Sequence, residues 1–185
     1  MAATIPYIIR PATPQDIPGI LDLMRELAEY EKLLDIFKAT EDSLRASLFG
    51  RTPAAECLVA QRTDEQEPAL LAYAIWFHNY SSFLSRRGLY LEDVYVRADQ
   101  RGQGIGGALL RQLAAIAVER GCGRFEWTVL DWNQTAIDFY ESLGADVLPE
   151  WRIVRVTGAA LDKLGRTTAT SAPPAMKQPA GQQHG

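Results

Sequence analysis

The sequence predicts a mixed α/β domain, with an antiparallel sheet in its first half and helices crossing over between strands in its second. Three observations carry this. Apolar runs of strand length recur along the chain from residue 7 to residue 156. Other stretches repeat apolar residues every three or four positions, the helical period. The earlier strands follow one another through short polar breaks, whereas helical segments stand between the later ones. With 185 residues, 47% of them hydrophobic, one domain can enclose a sizeable core.

Residues 7–10 read as a first strand ending at Pro11. Thr13-Pro14-Gln15-Asp16 is a helix start: threonine caps, proline suits the first helical position, and an acid complements the helix dipole. Ile17, Ile20, Leu21, Met24, Leu27 and Ala28 then keep helical spacing to about Tyr30. A second helix starts at Thr40, turns Leu44 and Leu48 to one side, and stops at Gly50. Residues 57–62 and 69–80 read as strands around a polar hairpin loop at 63–68. Residues 79–88 read as a polar, basic loop, and 89–96 as a third strong strand. A glycine-rich turn leads into a helix with Leu109, Leu110, Leu113, Ile116 and Ala117 inward, ended by Gly121. A strand at 125–130 follows. Asn133 caps a helix carrying Ala136, Ile137, Tyr140 and Leu143, which stops at Gly144. A last strand at 151–156 and a short helix near 159–164 complete the domain, expected over residues 1–165. Residues 166–185 are small, polar and proline-rich without periodicity, and are expected to form a disordered tail.

Composition narrows the function. The net charge is −4 and the isoelectric point about 5.2, which speaks against general nucleic-acid binding. Two cysteines, Cys57 and Cys122, lack motif spacing, and only His78 and His184 supply imidazole. Neither a disulfide framework, a metal site nor a serine–histidine triad is expected; His78 reads first as a surface or partly buried histidine. No secretory leader and no apolar run of about 20 residues is present, so a cytoplasmic protein away from membranes is expected.

The segment RGQGIGG, Arg101 to Gly107, is the most informative. Glycines let backbone N–H groups turn toward one point, and the helix behind them carries partial positive charge, so the segment suits an anion. A nucleotide-triphosphate loop is excluded because no Gly-Lys-Ser/Thr follows. Gly102, Gly104 and Gly107 fit G-x-G-x-x-G, but a dinucleotide fold needs that pattern directly after the first strand of a βαβ unit. A plain turn needs fewer glycines. The remaining pattern is R-x-x-G-x-G, through Arg101, Gly104 and Gly106.

This pattern resembles the pyrophosphate-binding motif of the GCN5-related N-acetyltransferases, whose element order is similar. IRPAT, ELAEYEKL, YLEDVYV, RGQGIG and VLDWNQTAIDFY resemble the diamine acetyltransferase branch of that superfamily, which holds the spermidine/spermine and thialysine N-acetyltransferases. The similarity spans residues 8–164. It implies the GNAT fold, with a splayed parallel strand pair at the acetyl-CoA site, and it implies acetyl-CoA as cosubstrate without a metal. Arg101, Gly102, Gln103, Gly104, Ile105, Gly106 and Gly107 would hold the diphosphate. Backbone groups of Val94, Tyr95 and Val96, with Asn133 and Tyr140, would hold the rest of the cosubstrate.

Amide formation requires a neutral amine, yet an amine with pKa near 10.4 is well under 1% neutral at pH 7, so a proton acceptor is needed. Glu92 and Asp93 sit inside an apolar strand, where alternation sends them to opposite faces. By pattern alone either is an acid for chemistry or an edge residue paired with arginine. The resemblance implies Glu92 as general base through water and Tyr140 as general acid toward the sulfur. By spacing alone, Tyr140 reads equally as a core aromatic and Asn133 as a helix cap. The resemblance also implies Tyr30, Glu31, Glu92, Asp93 and Trp151 near the amine, an acidic lining suited to a cation; Glu31 alone also reads as a surface acid. The segment NYSSFLSRRGLY lacks the acidic, tryptophan-containing stretch of polyamine-specific members. Its Arg86 and Arg87 favour an acceptor with its own carboxylate, such as thialysine or lysine. A homodimer is implied. The alternatives are a related enzyme for a protein N-terminus or an antibiotic amine, and a CoA-binding module without catalysis.

Overall fold

The structure is a computed structural model that describes residues 5–64 and 69–167. It divides into two units, Met1–Gly144 and Ala145–Gly185.

The first unit carries a five-stranded sheet in the order β1-β2-β3-β4-β5. The strands are β1 (Tyr7–Pro11), β2 (Glu56–Arg62), β3 (Leu70–Ser81), β4 (Arg86–Val96) and β5 (Phe125–Glu126). The first three pairings are antiparallel, and β4 with β5 is parallel. Helices α1 (Ile17–Tyr30) and α2 (Glu41–Phe49) cover one face; Ile17, Ile20, Leu23, Val59, Tyr73, Ile75 and Tyr95 meet there. Helix α3 (Ile105–Glu119) covers the other, over Ala72, Trp76, Leu89 and Leu91. The short α4 (Gln134–Ser142) adds Tyr140 to that second core.

The starts of these helices follow local chemistry. Thr13 and Asp16 bond reciprocally across a single 3-10 turn, Pro14–Asp16, and α1 continues from it. Thr40 caps α2 by accepting from the Ser43 N–H. Asn133 caps α4 by accepting from the Ala136 N–H.

Three sequence expectations need correction. Residues 79–88 are mostly strand: β3 and β4 pair as far as Ser81 with Arg86, leaving a loop of only 82–85. Most of their polar side chains are exposed, while Ser81 and Asn79 are covered and bonded within the chain, and the backbone is satisfied by the ladder, so polarity alone misreads them. The strand expected at 125–130 shrinks to two residues. Residues 151–156, in the second unit, form no strand. They are rich in apolar and β-branched residues, but among the described residues no strand pairs with them, and strand formation depends on such a partner. The second unit holds α5 (Gly158–Thr167), longer than the helix expected there. The expected tail lies outside the described residues beyond Thr167, as do residues 65–68 of the hairpin loop.

Candidate active site

The short β5 shapes the centre of the first unit. It pairs with β4 only at Leu89–Phe125 and Tyr90–Glu126, then leaves the ladder. From Leu91 to Val96, β4 therefore has no strand partner on that side among the described residues, and its backbone groups there are open to an extended ligand.

The glycine turn lies at the end of this open edge. Gly102 and Gly104 adopt φ of +78° and +79°, left-handed values that glycine takes without strain. A Cβ on either would meet nothing within 4 Å, so the space above them is free for a close approach. Ala108 makes the first helical bond of α3, to the Gly104 carbonyl. The N–H groups of Ile105, Gly106 and Gly107 thus lack an intrahelical acceptor. Ile105 and Gly107 are buried and anchor the turn. Gln103 is committed elsewhere: its Oε1 accepts from the Ile5 N–H and its Nε2 donates to Gln100. These features fit a diphosphate. Arg101 is exposed, and its guanidinium lies over the Tyr30 ring at 4.8 Å and the Tyr95 ring at 5.4 Å, with Nε donating to the Val96 carbonyl.

Helix α1 ends in a Schellman motif. Lys32 takes the left-handed position (φ 61°), its N–H bonds the Glu29 carbonyl, and the Leu33 N–H bonds the Ala28 carbonyl. Lysine in place of the usual glycine costs about 1 kcal/mol. The motif stops the helix so that Tyr30 and Glu31 stand at its end. The Tyr30 hydroxyl donates to Asn133 Oδ1 at 3.4 Å and its ring meets Trp132, tying α1 to the start of α4.

Glu92 and Asp93 are separated by a β-bulge. Trp76 pairs with Leu91 and Ile75 with Asp93, so Glu92 is an extra residue outside the ladder and is exposed. Asp93 shares the face of Ile75, Tyr73 and Tyr95, beneath α1. Burial, reinforced by the charges of Glu92 and Glu31, pushes its carboxyl up to about 6. Burial also raises Glu31. Tyr140 is half-buried against Trp127, ring to ring at 5.1 Å. Burial, and then the charge of Glu31, raise its phenol, which stays protonated at neutral pH. Glu31 is thus felt by Asp93, Tyr73 and Tyr140 together. Such a set is poised for a cation on the acid side and for a proton donor at Tyr140.

Of the residues singled out by sequence, Tyr30, Glu31, Glu92, Asp93, Val94–Val96, Arg101–Gly107, Asn133 and Tyr140 all lie in the first unit. Trp151 belongs to the second, where it is largely exposed, so the cluster described here is built without it. Arg86 and Arg87 lie six to seven residues before Asp93, about 20 Å along the strand, beyond a small acceptor bound at Asp93 in the same chain. His78 is engaged structurally, with Nδ1 donating to the Gly88 carbonyl and Arg120 beside Nε2. Tyr73, Trp127 and Trp132 carry no local signal in the sequence. Tyr73 is one aromatic within an apolar strand, and only the register reveals its neighbour.

Residues 20–145 match the family described as Acetyltransferase (GNAT) family. The thialysine N-epsilon-acetyltransferase of Bos taurus is 43% identical over 164 residues, covering 85% of this chain and 96% of that protein. The L-ornithine N5-acetyltransferase NATA1 of Arabidopsis thaliana is 34% identical, covering 85% and 87%. Among solved structures, an integron cassette protein from the mobile metagenome of V. cholerae superposes with a TM-score of 0.71 at 27% identity, covering 86% of this chain and 98% of the other.

Proposed function

The chain belongs to the GNAT acetyltransferase family and acts as an N-acetyltransferase on amines; from that premise we propose that its acceptor is a small primary amine carrying its own carboxylate, of the thialysine, lysine or ornithine kind. The observation that carries the small-cation reading is Asp93, partly buried with Glu31 and Glu92 bearing on it. The carboxylate half of the reading draws on the relatives named for thialysine and ornithine. Arg86 and Arg87, which suggest it from sequence, lie too far along β4 from Asp93 to carry it within one chain.

GNAT family acetyltransferases use acetyl-CoA, which supplies an acetyl thioester. In this reading the N–H groups at the start of α3 and the Arg101–Gly107 turn hold its diphosphate, and β4 from Val94 to Val96 pairs with its extended arm alongside Asn133. Glu31, Asp93 and Tyr30 hold the ammonium end of the acceptor. Glu92, on the solvent side of the bulge, takes the amine proton through water, so that a neutral nitrogen attacks the thioester directly. Tyr140 gives its proton to the departing sulfur; a raised phenol keeps that proton in place until a thiolate forms. The enzyme works in the cytoplasm as a homodimer.

The test is release of CoA thiol from acetyl-CoA across thialysine, lysine, ornithine, putrescine, spermidine and spermine. Highest kcat/KM for the amino acids is expected. Preference for spermidine would overturn the carboxylate-bearing acceptor, and tight CoA binding without turnover would point to a binding module. The variant Tyr140→Phe is expected to lower kcat about 100-fold with little change in acetyl-CoA affinity; an unchanged kcat would make Tyr140 a packing residue.

A further inference from the structure

Gln103 lies between the two left-handed glycines of the turn, Gly102 and Gly104, and both ends of its amide are engaged. Oε1 accepts from the Ile5 N–H at 3.1 Å, and Nε2 donates to Gln100 Oε1 at 3.1 Å. The two bonds fix each other's sense. A backbone N–H only donates, so the amide oxygen must face Ile5, which leaves the amide nitrogen for Gln100. Gln103 is half-buried, whereas Arg101, Gly102 and Gly104 around it are exposed.

The partners come from two distant parts of the chain. Ile5 is 98 positions away, lies just before β1 and packs against the core that α3 covers. Gln100 ends the 3-10 turn Ala98–Gln100, and its own N–H bonds the Arg97 carbonyl directly after β4. Gln103 therefore pins the glycine turn both to the end of β4 and to the segment that enters β1.

The turn has need of such a pin. Glycine leaves the backbone more freedom than any other residue, and neither Gly102 nor Gly104 is held by packing at its Cα. Beyond the turn, buried Ile105 and the body of α3 fix the chain. Before it, Arg101 adds only an exposed bond to the Val96 carbonyl. The shape in which the N–H groups of Ile105, Gly106 and Gly107 stay clear for an anion thus depends on the Gln103 side chain.

We propose that Gln103 is a positioning residue for the cosubstrate: bonded to the Ile5 N–H, it holds the turn in the shape that receives the diphosphate, so that the segment entering β1 takes part in binding acetyl-CoA. This rests on the reading of Arg101–Gly107 as the diphosphate site. An amide suits the place because it offers an acceptor and a donor together and carries no charge. A carboxylate there would set a negative charge beside a diphosphate, and a lysine or arginine would offer the Ile5 N–H no acceptor.

The experiment compares kcat/KM for acetyl-CoA with kcat/KM for S-acetylpantetheine, which has the same thioester and arm but ends before the phosphates. One amine is used throughout, in wild type, Gln103→Leu, Ile5→Pro, Ile5→Ala and the double variant of Gln103→Leu with Ile5→Pro, with thermal unfolding of each. Leucine removes both amide bonds at similar size, and proline removes the N–H of residue 5 from the other side. Wild type is expected to prefer acetyl-CoA strongly. Gln103→Leu should cut that preference about 10-fold and Ile5→Pro about 5-fold, both through the KM for acetyl-CoA, while kcat and the rates with S-acetylpantetheine stay within about twofold. The double variant should be no worse than Gln103→Leu alone, because the two changes break the same bond. A preference unchanged in Gln103→Leu would overturn the role of Gln103 and leave the turn standing as the diphosphate site. Losses that multiply in the double variant, or an equal loss in Ile5→Ala, which keeps its N–H, would overturn the bond to Ile5 as the cause. A wild type that uses both donors equally well would overturn the diphosphate reading itself, and the proposal with it.

Discussion

Helix α1 has a partly or fully buried carboxylate at each end, and the two ends treat it in opposite ways. At the start, Asp16 accepts from both terminal nitrogens of Arg10 at 2.7 Å, from the Thr13 N–H at 2.7 Å and from the Thr13 hydroxyl at 2.8 Å. Burial pushes Asp16 up, but these bonds outweigh it and hold the group below the usual carboxylate range. At the far end, Asp93 lies under the helix with Glu31 and Glu92 as its charged neighbours, and is raised. Both ends bury an acid; only the first supplies its counter-charge from within the chain. A carboxylate whose donors are all present serves the fold. One without them fits the proposed role of receiving a cation from outside.

Three variants would break or sharpen that contrast. The largest change in stability is expected for Asp16→Asn, a loss of about 2–3 kcal/mol at pH 7, because Arg10 is left without its partner. Since Asp16 is held low, its contribution is present above the ordinary carboxylate pKa and disappears as pH falls through the folded value. Urea unfolding curves of variant and wild type should therefore converge in acid. Equal losses at pH 3 and pH 7 would mean packing, not charge, is what Asp16 supplies.

Asp93→Asn should act with the opposite sign. The raised group makes the folded state progressively less favourable as pH climbs from the usual carboxylate range through about 6. Removing the charge should stabilise the protein by about 1–2 kcal/mol at pH 8 and by nothing near pH 4. A destabilised variant at pH 8 would place Asp93 in the same class as Asp16. Glu92→Gln should change stability least, within about 0.5 kcal/mol at any pH, because the side chain is exposed outside the ladder. A larger shift would show that the bulge depends on that charge.

Much of this molecule was legible in the order of its residues. Thr13, Thr40 and Asn133 announced their helices, and Gly50 and Gly144 the stops of α2 and α4, because caps act over three or four residues. The Arg101–Gly107 turn was legible because positive φ selects glycine. What escaped was set by distant pairing. No local signal marks the bulge at Glu92, which contains no glycine and depends on where β3 lies. The length of β5 depends on a neighbour diverging from it. Tyr73 looks like core until the register shows the acid diagonal to it. The strand-like pattern at 151–156 speaks of propensity, while strands require a partner.

The bulge has one more consequence. Leu91 pairs with Trp76 and Asp93 with Ile75, consecutive positions on β3. Deleting Glu92 would close the ladder without turning any other side chain of the sheet to the opposite face. In the terms of an insertion and its host, the exposed acid sits in a framework whose pairings are complete without it. The inner acid belongs to that framework and moves only if the register moves. A single codon can therefore remove or exchange the outer acid while Asp93 keeps its place and its face on the sheet.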